Sequence, residues 1–109
     1  MERYPLWLQF LVNSAFEEFL FRGTLLYVLL FMLNPVYAII ISALIFGIVH
    51  IVLFNWIMVL IAFIGGLIFG YVYWITGGTI LSIWLCIALH MVFVRFMYGR
   101  GLFKKLARR

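Results

Sequence analysis

The sequence predicts an all-α membrane protein: four transmembrane helices in an antiparallel bundle with a short basic C-terminal tail. Three observations lead there. Of 109 residues, 69% are hydrophobic, 20% aromatic and only 10% charged. A water-soluble domain of that composition would expose more contiguous apolar surface than water tolerates, and lipid removes the problem. Residues 36–54 carry no formal charge with His50 neutral, and residues 56–75 carry none at all. Each run approaches the roughly 20 residues that a helix needs to cross the hydrocarbon. Neither run alternates polar with apolar positions as a barrel strand must.

The first helix is predicted from about Pro5 to Leu33, with Pro5 in the first turn, where its missing N–H is not needed. Asn34-Pro35 stops it and starts the second, with Asn34 as N-cap. The second helix runs to near Phe54, and Asn55 marks a tight turn. The third extends from Trp56 to about Thr76 and ends at Gly77-Gly78; Thr79 opens the fourth, which fades near Tyr98. Residues 1–98 therefore read as one four-helix domain and 99–109 as a basic juxtamembrane tail. Leu102, Phe103 and Leu106 give that tail the pattern of a short interfacial helix. The short loops make consecutive helices antiparallel neighbours.

The net charge of +5 is concentrated at the end of the chain, in Arg95, Arg100, Lys104, Lys105, Arg108 and Arg109. Because this cluster follows an apolar span, it reads as an anchor on anionic lipid at the cytoplasmic face, not as a nucleic-acid surface. Four spans put both termini on that side, and Arg3 agrees. The loops at Asn34 and Gly77-Gly78 carry no Lys or Arg and would face outward. The single cysteine, Cys86, offers no disulfide framework. No cleavable signal peptide is expected, since no small-residue cleavage site follows the first apolar stretch.

Small residues mark where helices should approach. Gly66 and Gly70 are spaced four apart with Gly65 beside them, and Ala38 and Ser42 repeat the pattern. Helix packing is the role expected of these positions.

Charges within a span are costly, about 2.5–3.5 kcal/mol each at the centre of a helix. Glu17, Glu18 and Arg22 nevertheless sit midway along the first helix. Ser14, Glu18 and Arg22 fall on one stripe at i, i+4, i+8, with Glu before Arg, the favoured order for an ion pair. Asn13 and Glu17 form a second row, which leaves Glu17 as the carboxylate without a local partner and so a candidate proton acceptor. His50 follows Phe46 and Gly47 by one turn on the second helix, and His90 continues a Ser82–Cys86 stripe on the fourth. At about 1.5 Å per residue, His50 lies about 6 Å and His90 about 12 Å from the cytoplasmic ends of their spans. Glu17, His50 and His90 can therefore meet in the cytoplasmic half of the bilayer. His, His and Glu also fit zinc, but no HExxH or similar pairing is present. Acid–base chemistry without a metal or cofactor is expected. A proton or ion pathway would also explain intramembrane carboxylates, but a single acidic pair without an internal repeat is a weak basis for one.

Glu17-Glu18-Phe-Leu-Phe-Arg22-Gly23 resembles the EExxxR signature of the CPBP family, the CAAX-processing and bacteriocin-processing proteases, also called the Abi or type II CAAX prenyl endopeptidase family. Phe46-Gly-Ile-Val-His50 resembles its FxxxH motif, Gly66 through Tyr71 its glycine-rich span, and His90 stands where its HxxxN or HxxxD motif begins. The resemblance implies an intramembrane glutamate-dependent endopeptidase of a bacterial inner membrane that acts on peptide or protein substrates. Glu17 would activate water with His50 assisting, His90 would bind the oxyanion, and the Glu18–Arg22 pair would hold the first helix. Two departures stand out. Val94 occupies the position where the family has Asn or Asp, and loss of one oxyanion donor costs about 10²–10³ in rate. Arg95 points about 100° away on the helix and is no substitute. Better-known members also carry further spans before the first motif. These departures support an alternative: a catalytically degenerate small subunit that packs against a larger membrane complex.

Overall fold

A computed structural model of the chain describes residues 3–107, so Arg108 and Arg109 of the basic tail lie outside the described residues. The chain folds as helices α1 (Leu6–Leu20), α2 (Tyr27–Met32), α3 (Pro35–Val49), α4 (Trp56–Ile75), α5 (Ile80–Gly99) and α6 (Leu102–Leu106). A π-helical segment, Phe21–Leu26, joins α1 to α2, and a 3₁₀ turn, His50–Val52, follows α3. Three stretches are long and apolar enough to cross a membrane: Pro35–Val52, Trp56–Ile75 and Ile80–Gly99.

The first helix departs from expectation. It is continuous from Leu6 to Met32, but the π segment interrupts its α-helical geometry around Arg22. The Tyr27 N–H donates to the Arg22 carbonyl five residues back, and the Thr24 hydroxyl donates to the carbonyl of Phe19 at 3.2 Å. Such segments add a residue to a turn and commonly accompany functional positions. Periodicity could not reveal this one.

The caps are local chemistry that the sequence announces. Asn34 Oδ1 accepts from the Tyr37 N–H at 3.1 Å, with Pro35 at the first helical position. Asn55, expected only as a turn, also caps α4, accepting from the N–H groups of Ile57 and Met58. α3 stops at Val49, short of the predicted end near Phe54, because the chain tightens into the 3₁₀ turn before reaching Asn55. Gly77 (φ +98°) and Gly78 (φ +63°) make the left-handed turn between α4 and α5. Thr79 and Ser82 then close a capping box at the start of α5.

α3 and α4 pack most extensively, along a seam of small residues. A Cβ on Gly66 would stand 3.0 Å from Ala43 Cα, and one on Gly47 would stand 3.0 Å from the Val59 carbonyl oxygen. Gly70 packs on Ile39 in the same way. Gly65 was expected to join them and does not. A Cβ there would meet only Phe69, at 3.8 Å, and Gly65 lines an open cavity instead. Its neighbour in sequence faces α3, and a rotation of about 100° per residue turns Gly65 off that seam. The main core gathers Leu26, Ala38, Ile39, Phe69, Tyr73, Ile83, Cys86 and Ile87.

The tail does not stand apart from the bundle. Gly101 (φ +67°) turns the chain sharply after α5, and α6 folds back so that Leu106 is buried against Met58 and Met97.

Candidate active site

The polar stripe of α1 faces inward. Ser14, Glu18 and Arg22 are each at most 1% exposed, and the α5 stripe of Ser82, Cys86 and His90 is buried as well. The two stripes meet at His90, whose Nδ1 lies 2.7 Å from Glu18 Oε2. With Glu18 ionised, the Nδ1–H donates to the carboxylate, and this bond fixes the ring. The opposite nitrogen, Nε2, lies 3.5 Å from Glu17 Oε1. The histidine therefore sits between two carboxylates, one fully buried and one a third exposed.

Glu18 also faces Arg22, with Nε 3.3 Å from Oε1. That pair is close without being aligned as a hydrogen bond, and Arg22 Nη2 reaches the Gly66 carbonyl at 3.4 Å. The guanidinium is otherwise held by rings, 4.7 Å from the centroid of Phe46 and 5.3 Å from that of Phe69. Arg22 thus links the π segment to both α3 and α4, and its desolvated charge is met by one carboxylate and two π faces.

Phe46 is the hub between the two histidines. Its ring lies edge-to-face with His50 at 4.9 Å and His90 at 6.1 Å, while Phe69 stacks on His90 at 5.3 Å. His50 Nδ1 lies 2.7 Å from the Phe46 carbonyl. A carbonyl only accepts, so Nδ1 carries the proton and Nε2 is the nitrogen left free for other chemistry.

Glu17, His50 and His90, from three different helical stretches, line one cavity of about 590 Å³. Asn13, Ser14 and Val94 share its wall, and Phe16 and Val52 at its rim are strongly exposed. Carboxylate and imidazole groups in a mostly apolar cleft can move protons to and from a bound water. The apolar wall would accept the hydrophobic part of a substrate. Val94 adds no hydrogen bond there, and Arg95 is exposed. Among the described residues no group of three or more His, Cys, Asp or Glu side chains is arranged to hold a metal.

Sequence reasoning missed the Glu18–His90 hydrogen bond and gave Glu18 to Arg22 alone. The signal was present, since two inward polar stripes on different helices call for each other in lipid. The stacking of Phe69 on His90 had no such signal.

A family model described as type II CAAX prenyl endopeptidase Rce1-like matches residues 2–95, which takes in all of these residues. No curated protein matches the chain at a significant level, and no solved structure does.

Proposed function

Because the chain belongs to the Rce1-like type II CAAX prenyl endopeptidase family, and is an integral membrane protein with three helices able to cross the bilayer, we propose that it is an intramembrane endopeptidase in which Glu17 activates water. α1 with α2 serves as the fourth span of an antiparallel bundle, and both termini face the cytoplasm of a bacterial cell. The substrate is a peptide or protein segment, of the prenylated CAAX type suggested by the family.

The observation that carries the reading is the common cavity of Glu17, His50 and His90. A water held between Glu17 and the free Nε2 of His50 gives a proton to the carboxylate as its oxygen attacks the scissile carbonyl. The new C–O bond makes a tetrahedral oxyanion, which His90 binds through an Nε2–H, a donor it has when both ring nitrogens carry protons, with Nδ1–H held by Glu18. Collapse breaks the C–N bond, and the proton returns from Glu17 to the leaving nitrogen. Glu18 and Arg22 act as positioning residues: Glu18 orients His90, and Arg22 joins three helices around it. No metal or cofactor enters this scheme.

The test is cleavage of a fluorogenic peptide ending in a prenylated CAAX sequence by the purified protein. Glu17→Gln is expected to lower kcat by about 10²–10⁴-fold. Wild-type rates in Glu17→Gln would refute the assignment of the base.

One observation favours a second reading, a non-catalytic subunit of a larger membrane complex: Val94 presents a hydrocarbon side chain to the cavity. Under that reading the wild type does not cleave, Val94→Asn creates activity, and a stoichiometric partner co-purifies in mild detergent.

A further inference from the structure

The C-terminal strap puts Phe103 in the wall of the cavity and carries lysines that, among the described residues, have no ion-pair partner. α6 has only five residues, too few to hold a helix by itself. Its position rests on a short set of contacts. Leu106 wedges between Met58 and Met97, the Asn55 N–H donates to the Leu106 carbonyl at 2.9 Å, and Phe54 forms an antiparallel bridge with Ala107. Phe103 packs on Phe54 with ring centroids 5.9 Å apart, and both rings line the cavity that contains Glu17 and His50. Gly101, with open space around its Cβ position, turns the chain into the strap through a left-handed conformation that other residues rarely adopt.

The outer edge of the strap is basic. Lys104 and Lys105 are exposed, and among the described residues neither has an ion-pair partner. All three acidic residues of the chain precede residue 19, so α4, α5 and α6 offer no carboxylate to compete for these cations. Arg100 next to them lies over the Phe96 ring. Leu102, Phe103 and Leu106 point the other way, into the bundle.

We propose that this strap is a docking surface for anionic lipid: headgroups seated on Lys104 and Lys105 hold α6 across the cavity, with Phe103 as the part that limits entry. A segment held by few contacts opens at low free energy, and a ligand that binds the closed position shifts that balance by its differential affinity. Two lysines at an anionic surface are enough for a shift of about tenfold or more. The inference concerns access to the cavity and does not depend on the cavity being catalytic.

Amide exchange of Asn55, whose N–H is bonded to the strap, reports its closure. Carbethoxylation of His50 by diethyl pyrocarbonate reports access to the cavity. In mixed phosphatidylcholine–phosphatidylglycerol vesicles both should slow about tenfold relative to pure phosphatidylcholine. The exposed double variant Lys104→Gln, Lys105→Gln should abolish the difference. Inorganic phosphate added to pure phosphatidylcholine vesicles should have no effect. Equal exchange in the two vesicles, or slowing that persists in the double variant, overturns the lipid site. Slowing by phosphate alone overturns the requirement for a membrane surface. Asn55 protection with unchanged His50 labelling overturns the control of access.

Discussion

Two helix pairs in this molecule are held together by opposite means. α3 meets α4 through missing side chains: Gly47, Gly66 and Gly70 bring backbones so close that added methyl groups would collide with Val59, Ala43 and Ile39. α1 meets α5 through side chains that lipid would reject, with Glu18 bonded to His90 and Arg22 bound up with Glu18. In a bilayer neither pair gains from ordinary hydrophobic burial, because lipid tails are as apolar as leucine. Close dispersion contact and polar bonding are the two remaining ways to bind a helix. The first makes a tight seam and leaves no room for chemistry. The second leaves a cavity edged by Glu17, His50 and His90. The polar contact thus holds the helices and also orients the groups that the proposed reaction uses.

Substitutions can sharpen or break that contrast. The largest loss of stability is expected from Glu18→Ala, which leaves Arg22 buried without its carboxylate and removes the anchor of His90. Breaking a buried pair from one side costs about 3–5 kcal/mol, seen as loss of the folded fraction during thermal unfolding in mild detergent. Gly66→Ala comes next. Its methyl would meet the Ala43 backbone, which cannot step aside as a flexible side chain can, and overpacking of this kind costs about 1–3 kcal/mol. A Gly66→Ala variant as stable as wild type would mean that the seam is loose.

A smaller effect of opposite sign is expected at Ser14, whose buried hydroxyl has no hydrogen-bond partner. Ser14→Ala removes an unsatisfied group and should raise stability by about 1 kcal/mol. A loss instead would show that the hydroxyl has a partner, such as an internal water. Gly65→Ala is expected to shift stability least, by within about 0.5 kcal/mol, since a methyl there enters the cavity and not the seam. Comparing Gly65→Ala with Gly66→Ala in one melting experiment therefore tests which face of α4 is packed and which is open.

Much of this arrangement was legible in the sequence, for physical reasons that vary by element. The caps at Asn34 and Thr79 and the turn at Gly77-Gly78 are local, so a few residues specify them. The pairing of Glu18 with Arg22 followed from their spacing, because side chains four residues apart on a helix are neighbours. That Glu17, His50 and His90 could share a depth followed from counting residues along helices. The π segment was not legible, because the order of polar and apolar residues over Phe21–Leu26 does not distinguish a π turn from an α turn, and the geometry there depends on packing against other helices. Nor did the sequence separate Gly65 from Gly66, since a run of glycines does not say which one a neighbour touches. The hydrogen bond between His90 and Glu18 joins residues 72 apart. Finding it would have required matching one polar stripe with another across the bundle.

The central claim is that side chains from separate helices act as one unit on one water. A double-mutant cycle of Glu17→Gln and His50→Ala on peptide cleavage tests it most directly. Groups that share a single step are strongly non-additive, so the double variant should be no slower than the more damaged single variant by more than a few-fold. If the two losses multiply in full, the residues work independently, and the shared-water account is wrong.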